Sequence, residues 1–122
     1  MKLLLAAIAS LVLVVSASAT DFTVPLTDLD GKTIDDGTPD HKPFTLGRAA
    51  IVALITTYPD ESGLKDIDKF KRAELASKIN RDPHLVLSSE EITLVKMMIG
   101  KAFGPVVVYK AWPLLDGSIK PE

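Results

Sequence analysis

Apolar residues recur at helical spacing over much of the chain, and the clearest case is residues 88–115, SSEEITLVKMMIGKAFGPVVVYKAWPLL. Ser88 stands three residues before Glu91 at the head of an apolar pattern. That is a capping-box signature, in which the serine oxygen takes an orphan N–H and the glutamate reaches back to the cap. Ile92, Val95, Ile99 and Ala102 then share a face, with Met98 and Phe103 beside it. Gly104-Pro105 breaks the run: Gly104 reads as the C′ glycine of one helix, and Pro105 suits the first turn of the next. The pattern predicts helices over 89–103 and 105–115. Three β-branched residues, Val106 to Val108, leave a strand open there. Pro113 is awkward inside a helix, so a kink or an end near Trp112 is expected.

The remaining pattern supplies two more helices and a small ribbon. Thr45 is an N-cap candidate, and residues 46–57 are apolar nearly all round, as in a central helix of a bundle. A buried strand over 50–56 is the competing reading. Residues 64–80 form a charged helix with Leu64, Ile67, Phe70, Leu75 and Ile79 on its buried side. Asp66 and Asp68 near its start and Lys78 near its end suit the helix dipole. Residues 80–83 stop it. Residues 84–87 read as an extended lead-in whose Val86 or Leu87 staples onto the next helix. Earlier, Phe22, Val24 and Leu26 alternate, Asp30-Gly31 turns the chain, and Thr33-Ile34 returns. This predicts a hairpin over about 22–36 that leans on the helices through Leu26, Leu29 and Ile34. Pro25 belongs at an edge or bulge. Residues 35–43 read as a polar surface loop. The fold class expected is mainly α: a small bundle of about four helices with an N-terminal β-hairpin.

The first residues stand apart. Lys2 precedes an apolar run from Leu3 to Val15, and Ser16-Ala17-Ser18-Ala19 follows. Residues 1–19 read as a secretory signal peptide, cleaved after Ala19. A retained anchor is the rival, but the run is short of the roughly 20 apolar residues of a membrane span. The expected product is a single domain, residues 20–122, in the periplasm or secreted. A cytoplasmic location follows if the leader is not functional. Contact with the membrane is expected only in transit, through the leader. The last five residues are expected to fray.

Composition narrows the chemistry. The chain has 122 residues, and removing the leader takes one of its 14 basic residues and none of its 16 acidic ones. That mild acidity gives no clustered positive surface for nucleic acid. With no cysteine, there are no disulfides, no thiol catalysis and no thiolate metal sites. Asp28-Leu29-Asp30 resembles the Asp-x-Asp loop of haloacid-dehalogenase-type phosphatases. That loop needs a buried strand before it and a large α/β domain behind it, so the turn reading of Asp28, Asp30 and Gly31 is preferred. A weak divalent-ion site, with metal-assisted hydrolysis, is its rival. It lacks the further ligands of a calcium loop. His41 and His84 lie in separate loops, and no spacing pairs them. No Gly-x-Ser-x-Gly turn or phosphate loop is present. No catalytic residue, metal ligand or cofactor is assigned. Gly100 reads as a close helix contact. Met97, Met98, Phe103, Tyr109 and Trp112 read first as core. The sharper account makes Met97, Tyr109 and Trp112 the flank of a partner-binding face, where Met and aromatics are enriched.

The DLDGK turn, the TLG-led apolar helix, the KRAELA helix and LSSEEITLVKMMIGKAFGPVVVYKAWPLL together resemble small uncharacterised proteins encoded by tailed phages and prophages. The resemblance spans residues 26–115. It implies an accessory or assembly role in the cytoplasm and carries no catalytic residues with it. The leader departs from that pattern. It points to a phage-derived product at the bacterial envelope that binds an envelope or phage protein, for instance to exclude a second phage. Self-association remains a further option.

Overall fold

The computed structural model describes residues 19–117. Residues 1–18 of the expected leader and the final five residues lie outside the described residues. The described fold is mainly α, with four helices and a short antiparallel strand pair. Strand β1 is Thr20–Asp21, helix α1 is Leu46–Ile55, and a 3-10 turn spans Pro59–Glu61. Helix α2 is Asp66–Arg81, strand β2 is His84–Leu85, helix α3 is Ser89–Ala102 and helix α4 is Pro105–Asp116.

Helix starts follow their capping chemistry. Thr45 Oγ1 accepts from Arg48 N at 3.1 Å, which opens α1. Ser88 Oγ accepts from Glu91 N at 3.1 Å, while Glu91 Oε1 accepts from Ser88 N at 2.9 Å. This is the reciprocal box expected from the sequence. Leu87, just before the cap, is buried, whereas Val86 is exposed. Leu87 is therefore the residue placed to staple the helix. Helix α1 packs against both α2 and α3, α3 packs against α4, and β1 leans on α4. The core gathers Leu46, Ala49, Ala50, Ala53 and Leu54 of α1 with Leu75, Ala76, Ile79, Val95, Met98, Ile99, Ala111 and Leu115.

The N-terminal region is more closed than a plain hairpin. Three extended segments meet through the isolated bridges Thr27↔Thr33, Pro25↔Thr45 and Asp35↔Pro43. Leu26 N donates to Phe44 O at 2.8 Å, Phe44 N to Ile34 O at 2.7 Å, and Ile34 N to Leu26 O at 3.0 Å. Each segment thus bonds to both others, in a ring that satisfies backbone groups which a two-stranded ribbon leaves open. Leu26 is buried beneath the ring, and Phe44 stacks edge-on against Phe103 at 5.5 Å.

Several expectations are corrected. Leu29 does not reach the core; it is exposed at the tip of the turn. Ile67 and Phe70 are exposed, because α2 buries Arg72, Leu75, Ala76 and Ile79 instead. These four have the i, i+3, i+4, i+7 spacing of one helix face, and an arginine occupies its first position. Gly104 is not a left-handed C′ residue. It is extended (φ −81°, ψ −178°) and serves as the N-cap of α4. Residues 106–108 are helical, and α4 runs on through Pro113 to Asp116. Pro113 has no N–H to give the Tyr109 carbonyl one turn back, and the helix ends within a turn after it, at left-handed Gly117. Among the described residues, no helix is long and apolar enough to cross a membrane.

Candidate functional site

Helix α4 lies at the edge of the bundle, with Ala111 and Leu115 buried against α3 and the core. That phase turns Tyr109 and Trp112 outward. Tyr109 is 69% exposed and Trp112 37%. Tyr109 stands with Lys110, Pro113 and Leu114 on one wall of a cleft of about 350 Å³. Pro25, Leu26 and Thr27 of the N-terminal ring form the opposite wall. The cleft is mainly apolar, and its lining side chains carry three polar groups: the Tyr109 phenol, the Lys110 ammonium and the Thr27 hydroxyl. A cleft of that kind binds an apolar side chain or short segment and orients it with few polar contacts.

Trp112 belongs to the neighbouring surface. Its indole N–H donates to Lys96 O at 3.1 Å, and the Lys96 ammonium lies 4.8 Å from the ring centroid. Lys96 also pairs with Asp116 at 3.0 Å. The ring therefore lies over α3 and is held there by a cation–π contact and a hydrogen bond. Its Cζ2 would sit 3.6 Å from a Cβ added at Gly100, an ordinary contact. Gly100→Ala is therefore expected to stabilise the domain by about 0.5–1 kcal/mol through helix propensity. A thermal melt checks this, and a loss of stability would show that the ring needs the bare backbone.

The three sequence-predicted contact residues do not converge on one pocket. Met97 is 51% exposed and lines a shallow depression on α3 with Ser89, Glu90, Thr93 and Leu94. Tyr109 lines the cleft on the other side of α4. The core reading is corrected for Met97 and Tyr109 and holds for Met98, which is buried, and for Phe103, which packs partly buried against the core. Ile67 and Phe70 form an exposed apolar pair on α2 that sequence patterning assigned to the interior. Nothing local signals their exposure; it follows from where Arg72 goes.

Arg72 anchors a polar network that the sequence reading missed. Its side chain is almost fully buried. Nε donates to Leu54 O at 3.1 Å, Nη2 to Thr56 O at 2.7 Å, and Nη1 to Glu61 Oε2 at 2.7 Å. Tyr58 Oη donates to Ala53 O at 2.8 Å, and burial pushes its phenol pKa up. Lys101 reaches across from α3 to Asp60 at 3.1 Å and Glu61 at 3.2 Å. The network caps the orphan carbonyls at the end of α1 and ties the Pro59–Glu61 turn to α2 and α3. These bonds hold the Pro59–Glu61 turn, the end of α1 and α3 to one another. Among the described residues, no buried side-chain nitrogen or oxygen lacks a partner.

The Arg72 hydrogen bond holds the Glu61 carboxyl below its ordinary value of 4.5, with Lys101 helping and burial opposing. A carboxyl that is more acidic in the folded state than in the unfolded chain stabilises the fold above the unfolded value. That contribution disappears as the pH falls from there through the folded value. The melting temperature is therefore expected to drop on acidification below 4.5. Glu61→Gln should melt lower at pH 7 yet lose less on acidification. Equal losses in both proteins would remove Glu61 from the acid response.

Asp28 and Asp30 occupy a turn. Asp28 Oδ1 accepts from Asp30 N at 2.9 Å and from Lys32 N at 3.0 Å, and Gly31 takes φ +86°. These bonds use the Asp28 carboxylate to hold its own backbone. His41 lies 3.3 Å from Asp35, and His84 3.2 Å from Asp21. Among the described residues, no three of His, Asp and Glu are grouped so as to hold a metal ion. Comparison with protein-family models, curated proteins and solved structures finds no match to this chain.

Proposed function

We propose that this chain is an exported, phage- or prophage-derived binding protein that works at the bacterial envelope through protein–protein contact, without catalysis. The observation that carries the reading is Tyr109, 69% exposed on the rim of the apolar cleft between α4 and the N-terminal ring. A large aromatic left in water beside an apolar cleft is the composition of an interface centre. The leader sequence over residues 1–19 supports the compartment. A protein of this kind excludes a second phage by occupying a host envelope protein.

The test is a photo-crosslinking residue at position 109 in cells that make the full chain. An adduct with one envelope protein is expected, and Tyr109→Ala should weaken that contact about tenfold or more. The variant should melt within about 0.5 kcal/mol of the parent, because position 109 is exposed. Binding that survives Tyr109→Ala unchanged would remove the cleft from the interface.

A second reading is a virion-assembly accessory protein in the cytoplasm, which the resemblance over residues 26–115 favours. It predicts an intact Met1 end and copurification with head or tail proteins. Mass spectrometry of the protein's N-terminus separates the two.

A further inference from the structure

The cleavage signal read from the sequence ends at Ala19, and the residue after it is built into the fold. Thr20 is only 7% exposed. It pairs with Leu85, and Asp21 pairs with His84, in the β1–β2 ladder. Phe22 follows at 1% exposure. Its N–H donates to Pro83 O at 2.8 Å, and its carbonyl accepts from Gly47 N at 2.8 Å. Ala19 and Thr20 also line a depression with Leu87, Ile92 and Leu115 from the α3–α4 side. The Ala19–Thr20 bond therefore has its N-terminal side at the surface and its C-terminal side strapped down.

A processing peptidase must hold the chain on both sides of the bond as an extended strand in its own cleft. In the folded domain the backbone of Thr20 and Asp21 is already engaged by β2, and the strap is anchored by Phe22. We infer that the folded domain protects its own processing site: the leader is removed before the 20–26 strap docks, and docking closes the window for removal. The inference rests on the exported reading. Cleavage adds water across the Ala19–Thr20 amide; Ala19 leaves as a carboxylate on the leader, and Thr20 gains an ammonium group. A chain that folds before it meets the peptidase keeps its leader. Export and retention are then two outcomes of one competition between folding and processing.

The experiment incubates purified bacterial signal peptidase with three substrates in detergent micelles. They are the full chain in its folded state, the full chain with Phe22→Ala, and a synthetic peptide of residues 1–26, which keeps the whole leader. The peptide should be cut between Ala19 and Thr20. The folded chain should be cut at least about a hundredfold more slowly, because cleavage of a protected bond follows the fraction of open molecules. Phe22→Ala, at a temperature where circular dichroism shows it keeps the parent's helix content, should recover most of that loss. Equal rates on peptide and folded chain, with helix content intact by circular dichroism, overturn the inference and leave the exported reading standing. A peptide that is not cut overturns the exported reading and the inference with it. A Phe22→Ala chain as resistant as the parent overturns the role of the strap.

Discussion

Arg72→Met is expected to destabilise the domain by about 3 kcal/mol, the order set by losing two charge-assisted hydrogen bonds to backbone carbonyls. For a domain of this size that lowers Tm by about 15 °C. Methionine fills much of the same volume, so the loss reports the polar contacts rather than a cavity. Leu54 O and Thr56 O lose their donors at the end of α1, and the nearly buried Glu61 carboxylate loses its closest cation. Lys101 still reaches Glu61, but it cannot reach back to α1 by any contact seen in the fold. Arg72→Lys should recover little, because one ammonium cannot replace a planar fork that serves three acceptors on two elements. The check is a thermal melt at pH 7 with both variants. A shift of only two or three degrees (about 0.5 kcal/mol) would mean that water replaces the guanidinium without cost. The proposed contact at Tyr109 should survive in the variant at temperatures where it remains folded, because Arg72 does not line that cleft.

Arg72 also explains where sequence reading succeeds and where it fails. Helix existence was legible from local signals: the Thr45 cap, the Ser88–Glu91 box and Pro105 at the start of α4 all act within a few residues of themselves. Which face of α2 is buried was not. Ile67 and Phe70 look like core residues by hydropathy, and Arg72 looks like surface. The preference reverses because the open carbonyls of α1, eighteen and sixteen positions earlier, need a donor. Leu29 failed for a related reason: Leu26 is buried as expected, but by Leu29 the chain had already entered the turn at Asp28. The partner of β1 lies more than sixty residues away at His84–Leu85, beyond any local pattern. For the candidate site, the residue types were visible but their grouping was not. Met97, Tyr109 and Trp112 all reach the surface, yet helix phase puts Met97 and Tyr109 in different depressions. The cleft wall formed by Pro25, Leu26 and Thr27 depends on the three-way ring, which becomes visible only when residues 24–45 are folded together.

Phe22→Ala should cost about 4 kcal/mol, the usual range for removing a fully buried phenylalanine side chain. That corresponds to a Tm lower by about 20 °C. Phe22 sits where three parts of the chain meet: its backbone bonds to Pro83 and Gly47, and its side chain belongs to the main core. Leu29→Ala, in the same N-terminal region and equally apolar in sequence, should stay within about 0.5 kcal/mol because its side chain faces water. The contrast tests burial against hydropathy, and equal effects at the two positions would show that the ring and strap are not docked as described. Hydrogen exchange adds location: Phe22→Ala should lose protection first in the backbone bonds that seat the strap, those of Phe22 N and Gly47 N. Gly47→Ala reaches the same joint from the other side. An added Cβ would meet the Phe22 carbonyl oxygen at 2.9 Å and Phe22 Cβ at 3.2 Å. The nearer atom is backbone, and alanine keeps its own Cβ, so removing the Phe22 ring does not clear the space. The Gly47→Ala penalty should therefore persist in the Phe22→Ala background. A double variant no less stable than Phe22→Ala alone would mean that the close approach of strap and α1 exists only to accommodate the ring.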